Sequence, residues 1–192
     1  LSGVHNSNSP FFYFYSNWSL GNEYYRPIHS VIQWILYRLF DVWSFPSQLL
    51  SFLLHYINSV LIYLLLVKLK SQRGIAIFFS ILFCVSIYTE TAATWVTDRP
   101  SLMVGTFLIL AIHHLLSNKL NIVYLIMLSI LSLLTKESGI IVPLVISFFC
   151  IVFSSKDNKQ LLTITLNLLV TFIYFLLRQS LLPNNSLVGS ED

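Results

Sequence analysis

The residues best suited to chemistry sit in short polar islands between long apolar runs. The first island is Tyr88-Thr89-Glu90-Thr91-Ala92-Ala93-Thr94-Trp95-Val96-Thr97-Asp98-Arg99-Pro100, which holds two acids and one Arg. Charges beside hydrocarbon are costly, and a membrane protein keeps them there for function or orientation. A carboxylate such as Glu90 or Asp98 can act as base toward a hydroxyl. A guanidinium such as Arg99 offers a planar fork that matches phosphate oxygens. The competing reading is a solvated hairpin with Trp95 at the interface, where an amphipathic ring is stable. Lys136-Glu137 forms a second charged pair, after an apolar run of only about 16 residues. It reads equally as a loop dipping into a cavity and as an exposed pair of little energetic weight.

A third constellation is helical. Gln48, Ser51, His55 and Asn58 stand at i, i+3, i+7 and i+10, which puts them on one helix face. Such a stripe must face protein or water, either as interhelical hydrogen bonding or as the wall of a polar cavity. His113-His114 has no carboxylate or Cys nearby in sequence and gives little support to a metal site. No HExxH, CxxC pair, Gly-rich phosphate loop or GxSxG elbow is present. Asn17-Trp18-Ser19 and Asn184-Asn185-Ser186 match the N-glycosylation acceptor pattern.

The elements that must position these residues follow from composition. The chain has 192 residues, 56% apolar and only 10% charged, with a mean hydropathy of +0.75. Soluble domains carry roughly a quarter charged residues, so the chain reads as an all-α, polytopic membrane bundle. The basic residues form no dense patch, which argues against nucleic acid. Cys84 and Cys150 lie in separate apolar runs and read as core residues. Residues 28–44 form an amphipathic pattern carrying Arg38 and Asp41, which favours a helix along the interface. Six spans are expected at about 47–67, 74–88, 101–116, 120–135, 140–154 and 160–177. Short loops with Lys68, Lys70, Arg73, Lys119, Lys156 and Lys159 then face inward. Glu23, Asp41, Glu90, Asp98 and Glu137 gather on the outer side. One domain results, with residues 1–46 as an outer loop bearing the interfacial helix, 47–178 as spans and 179–192 as the start of another outer loop.

Three blocks of this sequence, in order over about residues 24–145, resemble GT-C-type membrane glycosyltransferases. The nearest branch is the transmembrane protein O-mannosyltransferases with tetratricopeptide repeats, together with their bacterial relatives. Tyr25-Arg26-Pro27 with Pro46 and His55-x-x-Asn58 is similar to the first block. Ser86 to Glu90 with Trp95 to Leu102 is similar to the second, and Leu134 to Leu144, containing Lys136-Glu137, to the third. Gln48 and Ser51 replace the family's His and Asn; Asp98 precedes Arg99, and Ser101 stands where the family has an acid. The resemblance implies a partial GT-C fold that moves a mannose-like hexose from a polyprenyl-phosphate donor to a protein or glycan hydroxyl on the outer or lumenal face. It implies Glu90 and Asp98 as catalytic candidates, and Tyr25, Arg26, His55, Arg99, Lys136 and Glu137 as substrate-binding residues. It also leaves a divalent metal open as Glu90's partner. Integral multi-pass placement in a bacterial inner membrane or the endoplasmic reticulum follows. The family's acidic pair is expected upstream of Leu1, so the 192 residues read as a fragment that is inert alone. The alternatives are a transporter with a polar outward cavity and an inactive scaffold.

Overall fold

A computed structural model describes residues 10–15, 24–86, 98–117, 120–152 and 158–181. Seven α-helices account for most of them: α1 Pro27–Phe40, α2 Phe45–Lys68, α3 Arg73–Cys84, α4 Arg99–Leu115, α5 Ile122–Thr135, α6 Ile141–Val152 and α7 Asn158–Leu181. Short 3-10 turns cover Pro10–Phe14 and Glu137–Ile140. No strand occurs among the described residues.

Local chemistry sets the boundaries. Pro27, Pro46 and Pro100 each lie in the first helical turn, where a missing N–H costs nothing. Asp41 leaves α1 at φ 52 and Lys70 ends the turn after α2 at φ 61. These single left-handed residues reverse the chain, as at many helix C-termini. Asn121 caps α5 by accepting the Tyr124 N–H at 3.2 Å.

α2 and α3 run antiparallel, with His55 beside Cys84 and Ser59 beside Ser80, whereas α2 and α4 run parallel, with Arg99 at the start of α4 beside Ser47 and Ser51 and Lys68 at the end of α2 beside His113. α2 packs on α3 and α4, α4 on α5 and α6, and α7 closes against α5 and α6. Val104, Ala111, Leu115, Leu125, Val142 and Ile146 form the main core between α4, α5 and α6. Interhelical hydrogen bonds add to it: Asn58 Nδ2 donates to Leu102 O at 2.9 Å and accepts from Thr106 at Oδ1. Ser129 Oγ donates to Asn167 Oδ1 between α5 and α7.

The six expected spans all coincide with helices, but only two have spanning length. α2 and α7, 24 residues each, are long and apolar enough to cross a membrane. At 1.5 Å per residue each reaches about 36 Å, against a hydrocarbon core of about 30 Å. The remaining apolar helices have 10–17 residues, because Asn121, the extended Lys136 and the Pro-led start of α4 cut the runs short. The buried share of the apolar window is 22% in α2 and 17% in α7, so neither is the enclosed core helix of a water-soluble domain. The amphipathic helix expected over 28–44 ends at Phe40, and the polypeptide turns through Asp41 before α2 begins.

Candidate functional site

One end of the bundle gathers the charged residues of three chain-distant segments. Arg26 precedes α1, Asp98 and Arg99 open α4, and Lys136-Glu137 links α5 to α6. Lys136 is fully extended at φ −158 and ψ 153, so it and Glu137 project to opposite sides of the chain. Each therefore meets a different partner. The Arg26 guanidinium donates from Nε and Nη2 to Glu137 Oε2 at 3.1 and 2.8 Å. Lys136 Nζ lies 2.9 Å from Asp98 Oδ1 and 2.5 Å from Ser101 Oγ, and Ser101 Oγ donates to the same Asp98 oxygen at 2.5 Å.

The turn that presents this pair is held tightly. Ser132 Oγ donates to Gly139 O at 2.9 Å, and a Cβ on Gly139 would fall 1.9 Å from Ser132 O. Only glycine lets the turn lie this close to α5. Tyr25 is buried beside it, its hydroxyl donating to Phe14 O at 3.0 Å and its ring 6.3 Å from that of Tyr174 on α7.

Arg99 is the cation of this group without a carboxylate among the described residues. Its side chain is 0% exposed. Nε donates to Ser51 Oγ at 2.9 Å, and Nη2 donates to the carbonyl oxygen and hydroxyl of Ser47, both at 2.6 Å. Nη1 is buried and has no hydrogen-bond partner among the described residues. Next to this group is His29, one turn past Arg26 on α1 and 1% exposed. Burial, then the charges of Arg99, Arg26 and Lys136, push its imidazole down to about 3. Burial works to raise Asp98, but hydrogen bonds from Ser101 and Lys136 and the charges of Lys136 and Arg26 outweigh it and hold the carboxyl low. The set of three cations and two carboxylates keeps one positive charge, and both carboxylates are already engaged by Lys136 and Arg26. Such an arrangement suits an anion with several oxygens.

Tyr25, Arg26, Asp98, Arg99, Lys136 and Glu137 thus come together, whereas His55 does not join them. Its Nε2 lies 2.9 Å from Cys84 O and its ring 5.3 Å from that of Phe83, tying α2 to α3. Ser51 and Asn58 from the same stripe are buried in helix contacts, but Gln48 is exposed. His55 and Asn58 thus staple α2 to the backbone of α3 and α4, while Ser51 holds Arg99 at the site end of the same stripe. Glu90 lies outside the described residues, as do Asn17 and Asn184. His114 accepts the Asn121 N–H at Nε2, 2.9 Å away, and steadies the α4–α5 turn. No group of three or more His, Cys, Asp or Glu residues gathers among the described residues.

Sequence reasoning missed His29, Ser47 and Tyr174. Ser47 was findable, standing one turn before Ser51 on the same helix face. His29 follows Arg26 at i+3, which also places the two on one face once α1 is assigned. No family model, curated protein or solved structure matches the chain.

Proposed function

We propose that the chain is the membrane-embedded part of a glycosyltransferase that takes a sugar from a polyprenyl-phosphate donor and passes it to an acceptor hydroxyl on the outer face. The observation that carries this reading is the convergence of Arg26, Asp98-Arg99 and Lys136-Glu137. These are the segments whose sequences resemble the GT-C blocks, and the Arg26–Glu137 pair spans 111 residues of chain. A family resemblance made of unrelated accidents has no reason to assemble into one ion-paired site.

The chemistry follows from the charges. The acceptor oxygen forms a bond to the sugar's anomeric carbon while the bond from that carbon to the phosphate oxygen breaks. A carboxylate takes the acceptor proton, and fixed cations stabilise the phosphate that leaves. Arg99, already fixed by Ser47 and Ser51, is preorganised for that phosphate through Nη1. Asp98 uses Oδ1 for Lys136 and Ser101, and its side chain is 42% exposed. An ionised, accessible carboxylate is suited to receive the acceptor hydroxyl, and Glu90 is the other candidate for that role. Arg26 and Glu137 brace the site, and Tyr25 supports them from behind.

In this reading α3, α4, α5 and α6 also cross the bilayer, which accommodates short helices by thinning and by snorkelling of flanking residues. The exposed apolar rows support it: Phe78, Phe79 and Leu82 on α3, and Leu169, Phe172 and Phe175 on α7, are each about half exposed. Charge placement agrees, since Lys68, Lys70, Arg73 and Lys159 lie at the ends opposite the site. A transporter needs a polar path through the inner half. There the core of Ala111, Leu115, Leu125 and Cys150 is apolar, which favours the transferase.

The test is sugar transfer in membranes from cells expressing the complete reading frame. Label supplied on a polyprenyl-phosphate carrier should reach protein or glycan acceptors, and label on the free sugar should not. Equal incorporation with the gene deleted would refute the reading.

A further inference from the structure

The last two turns of α7 hold two enclosed polar groups that the scheme above does not use. Tyr174 is 5% exposed and packs with Tyr25, Leu133 and Ile140, its ring 6.3 Å from that of Tyr25. Its hydroxyl is buried and has no hydrogen-bond partner among the described residues. Arg178 follows at i+4 on the same helix, which sets the two on one face with about 5–6 Å between Cβ atoms. Its Nε is likewise buried without a partner, and no ion pair joins it to a carboxylate among the described residues. Glu137, the acid of the turn packed against Tyr174, is taken by Arg26 at 2.8 Å. Leu181, a turn beyond Arg178, packs on the same cluster as Tyr174, so this end of α7 stays against the protein. Buried polar groups left unmet are costly. The guanidinium only donates, and the phenol can donate as well. What the pair lacks is an acceptor, and the acceptor that best suits a guanidinium is an anionic oxygen.

We propose that Tyr174 and Arg178 seat the phosphate of a bilayer phospholipid, in the leaflet on the same side as the charged cluster. Position along α7 identifies the source of the phosphate. Lys159 and Arg178 bracket the apolar stretch of this helix. At 1.5 Å per residue they stand about 28 Å apart, close to the hydrocarbon thickness of about 30 Å. Arg178 is thus at the level where headgroups begin, and phosphate oxygens are the anionic oxygens every phospholipid carries there. The neighbouring row of α7 suits the acyl chains, since Ile173 and Leu177 are each about half exposed. The chains lie along that row while the phosphate accepts from Arg178 Nε and the Tyr174 hydroxyl. Through Tyr25, the bound lipid steadies the segment that carries Arg26. The inference is independent of sugar transfer and requires only that α7 cross the bilayer.

Native mass spectrometry of the full-length protein, released from detergent with added ligand, reads this directly. The probes are dioleoylphosphatidylglycerol, dioleoylglycerol and inorganic phosphate. One phosphatidylglycerol should stay bound per protein, and dioleoylglycerol, with the same chains and no phosphate, should not. Arg178→Gln should weaken that first binding about 10-fold or more, because it removes a charge-assisted hydrogen bond. Tyr174→Phe keeps the ring in its packing and loses only the hydroxyl, so it should weaken binding about 3–10-fold. This second variant tests the site even where Arg178→Gln folds poorly. Lys159→Gln removes an exposed cation at the other end of α7 and should change binding by less than about 2-fold. Wild-type binding in Tyr174→Phe and Arg178→Gln overturns the proposal. Equal losses in Arg178→Gln and Lys159→Gln also overturn it, because charge at either helix end would then suffice. Retention of dioleoylglycerol as tight as that of phosphatidylglycerol removes the role of the phosphate. Binding of inorganic phosphate without phosphatidylglycerol removes the lipid, and either result overturns the assignment.

Discussion

Replacing Gly139 by Ala should dislodge the turn that carries Lys136 and Glu137. The added Cβ would lie 1.9 Å from Ser132 O, 2.3 Å from Ser132 C and 2.9 Å from Leu133 N. All three are backbone atoms of α5, so no rotamer change relieves the overlap. The turn has to retreat by about 1 Å or more to reach ordinary contact distances. That retreat stretches the buried bond from Ser132 Oγ to Gly139 O, 2.9 Å long, and leaving its groups unsatisfied costs about 1–3 kcal/mol. Overpacking against backbone adds about 1–3 kcal/mol. The expected loss is therefore about 2–5 kcal/mol, a large share of a typical domain's stability. Gly74 is the control: it is exposed at the start of α3, and a Cβ added there would have no neighbour within 4 Å. There Ala should stabilise by about 0.5–1 kcal/mol. Denaturant unfolding of the purified protein in one detergent measures both. Equal midpoints for Gly139→Ala and the wild type would refute the close approach of the turn to α5.

The Arg26–Glu137 pair has side chains 10% and 20% exposed, between the surface and buried limits, so a double-mutant cycle with Ala should give a coupling of about 1–3 kcal/mol; no coupling would mean that α1 is not tied to the turn. Asp98 is held below the ordinary carboxyl value by Ser101 and Lys136 against the opposing effect of burial. Its contribution is therefore present above about pH 3.9 and lost as pH falls through the lowered value. Unfolding midpoints of wild type and Asp98→Asn should converge below about pH 4, and a constant gap down to pH 2.5 would contradict the assignment. In a background with Cys84 and Cys150 changed to Ser, a cysteine at position 98 should react with an impermeant reagent from outside and one at position 73 should not. The reverse pattern would invert the bundle.

How far the sequence could be read depended on what each residue answers to. The helices were legible because apolar runs and prolines are local signals. The run expected over 47–67 became Phe45–Lys68, and that over 120–135 became Ile122–Thr135. Span number was less legible, because helix length depends on where caps and turns interrupt an apolar run. Asn121 and the extended Lys136 shorten α5 in a way that hydropathy does not register. The charged members of the site were named from their islands, but their pairing was not. Adjacent Lys136 and Glu137 looked like one pair, and the extended backbone between them sends them to Asp98 and Arg26 instead. His55 was drawn into the site by its stripe, although a buried imidazole is satisfied equally well by the Cys84 carbonyl. Ser101 entered only as a departure from a family pattern. It stands between Asp98 and Lys136 and bonds to both.

The central claim is that Arg99 waits for the phosphate of a lipid-linked sugar. The most direct measurement is the rate of sugar transfer from a polyprenyl-phosphate donor by the full-length protein carrying Arg99→Gln, normalised to folded protein in the membrane. Gln places its amide near the Nε position, within reach of Ser51, and removes the charge, the Nη2 bonds to Ser47 and the Nη1 donor. Losing one preorganised donor to a developing anion typically costs about 10²–10³-fold in turnover. A fall of that size, with membrane insertion and unfolding midpoint little changed, is the predicted result. Turnover near wild type at equal protein would contradict the claim and leave Arg99 as a helix tie.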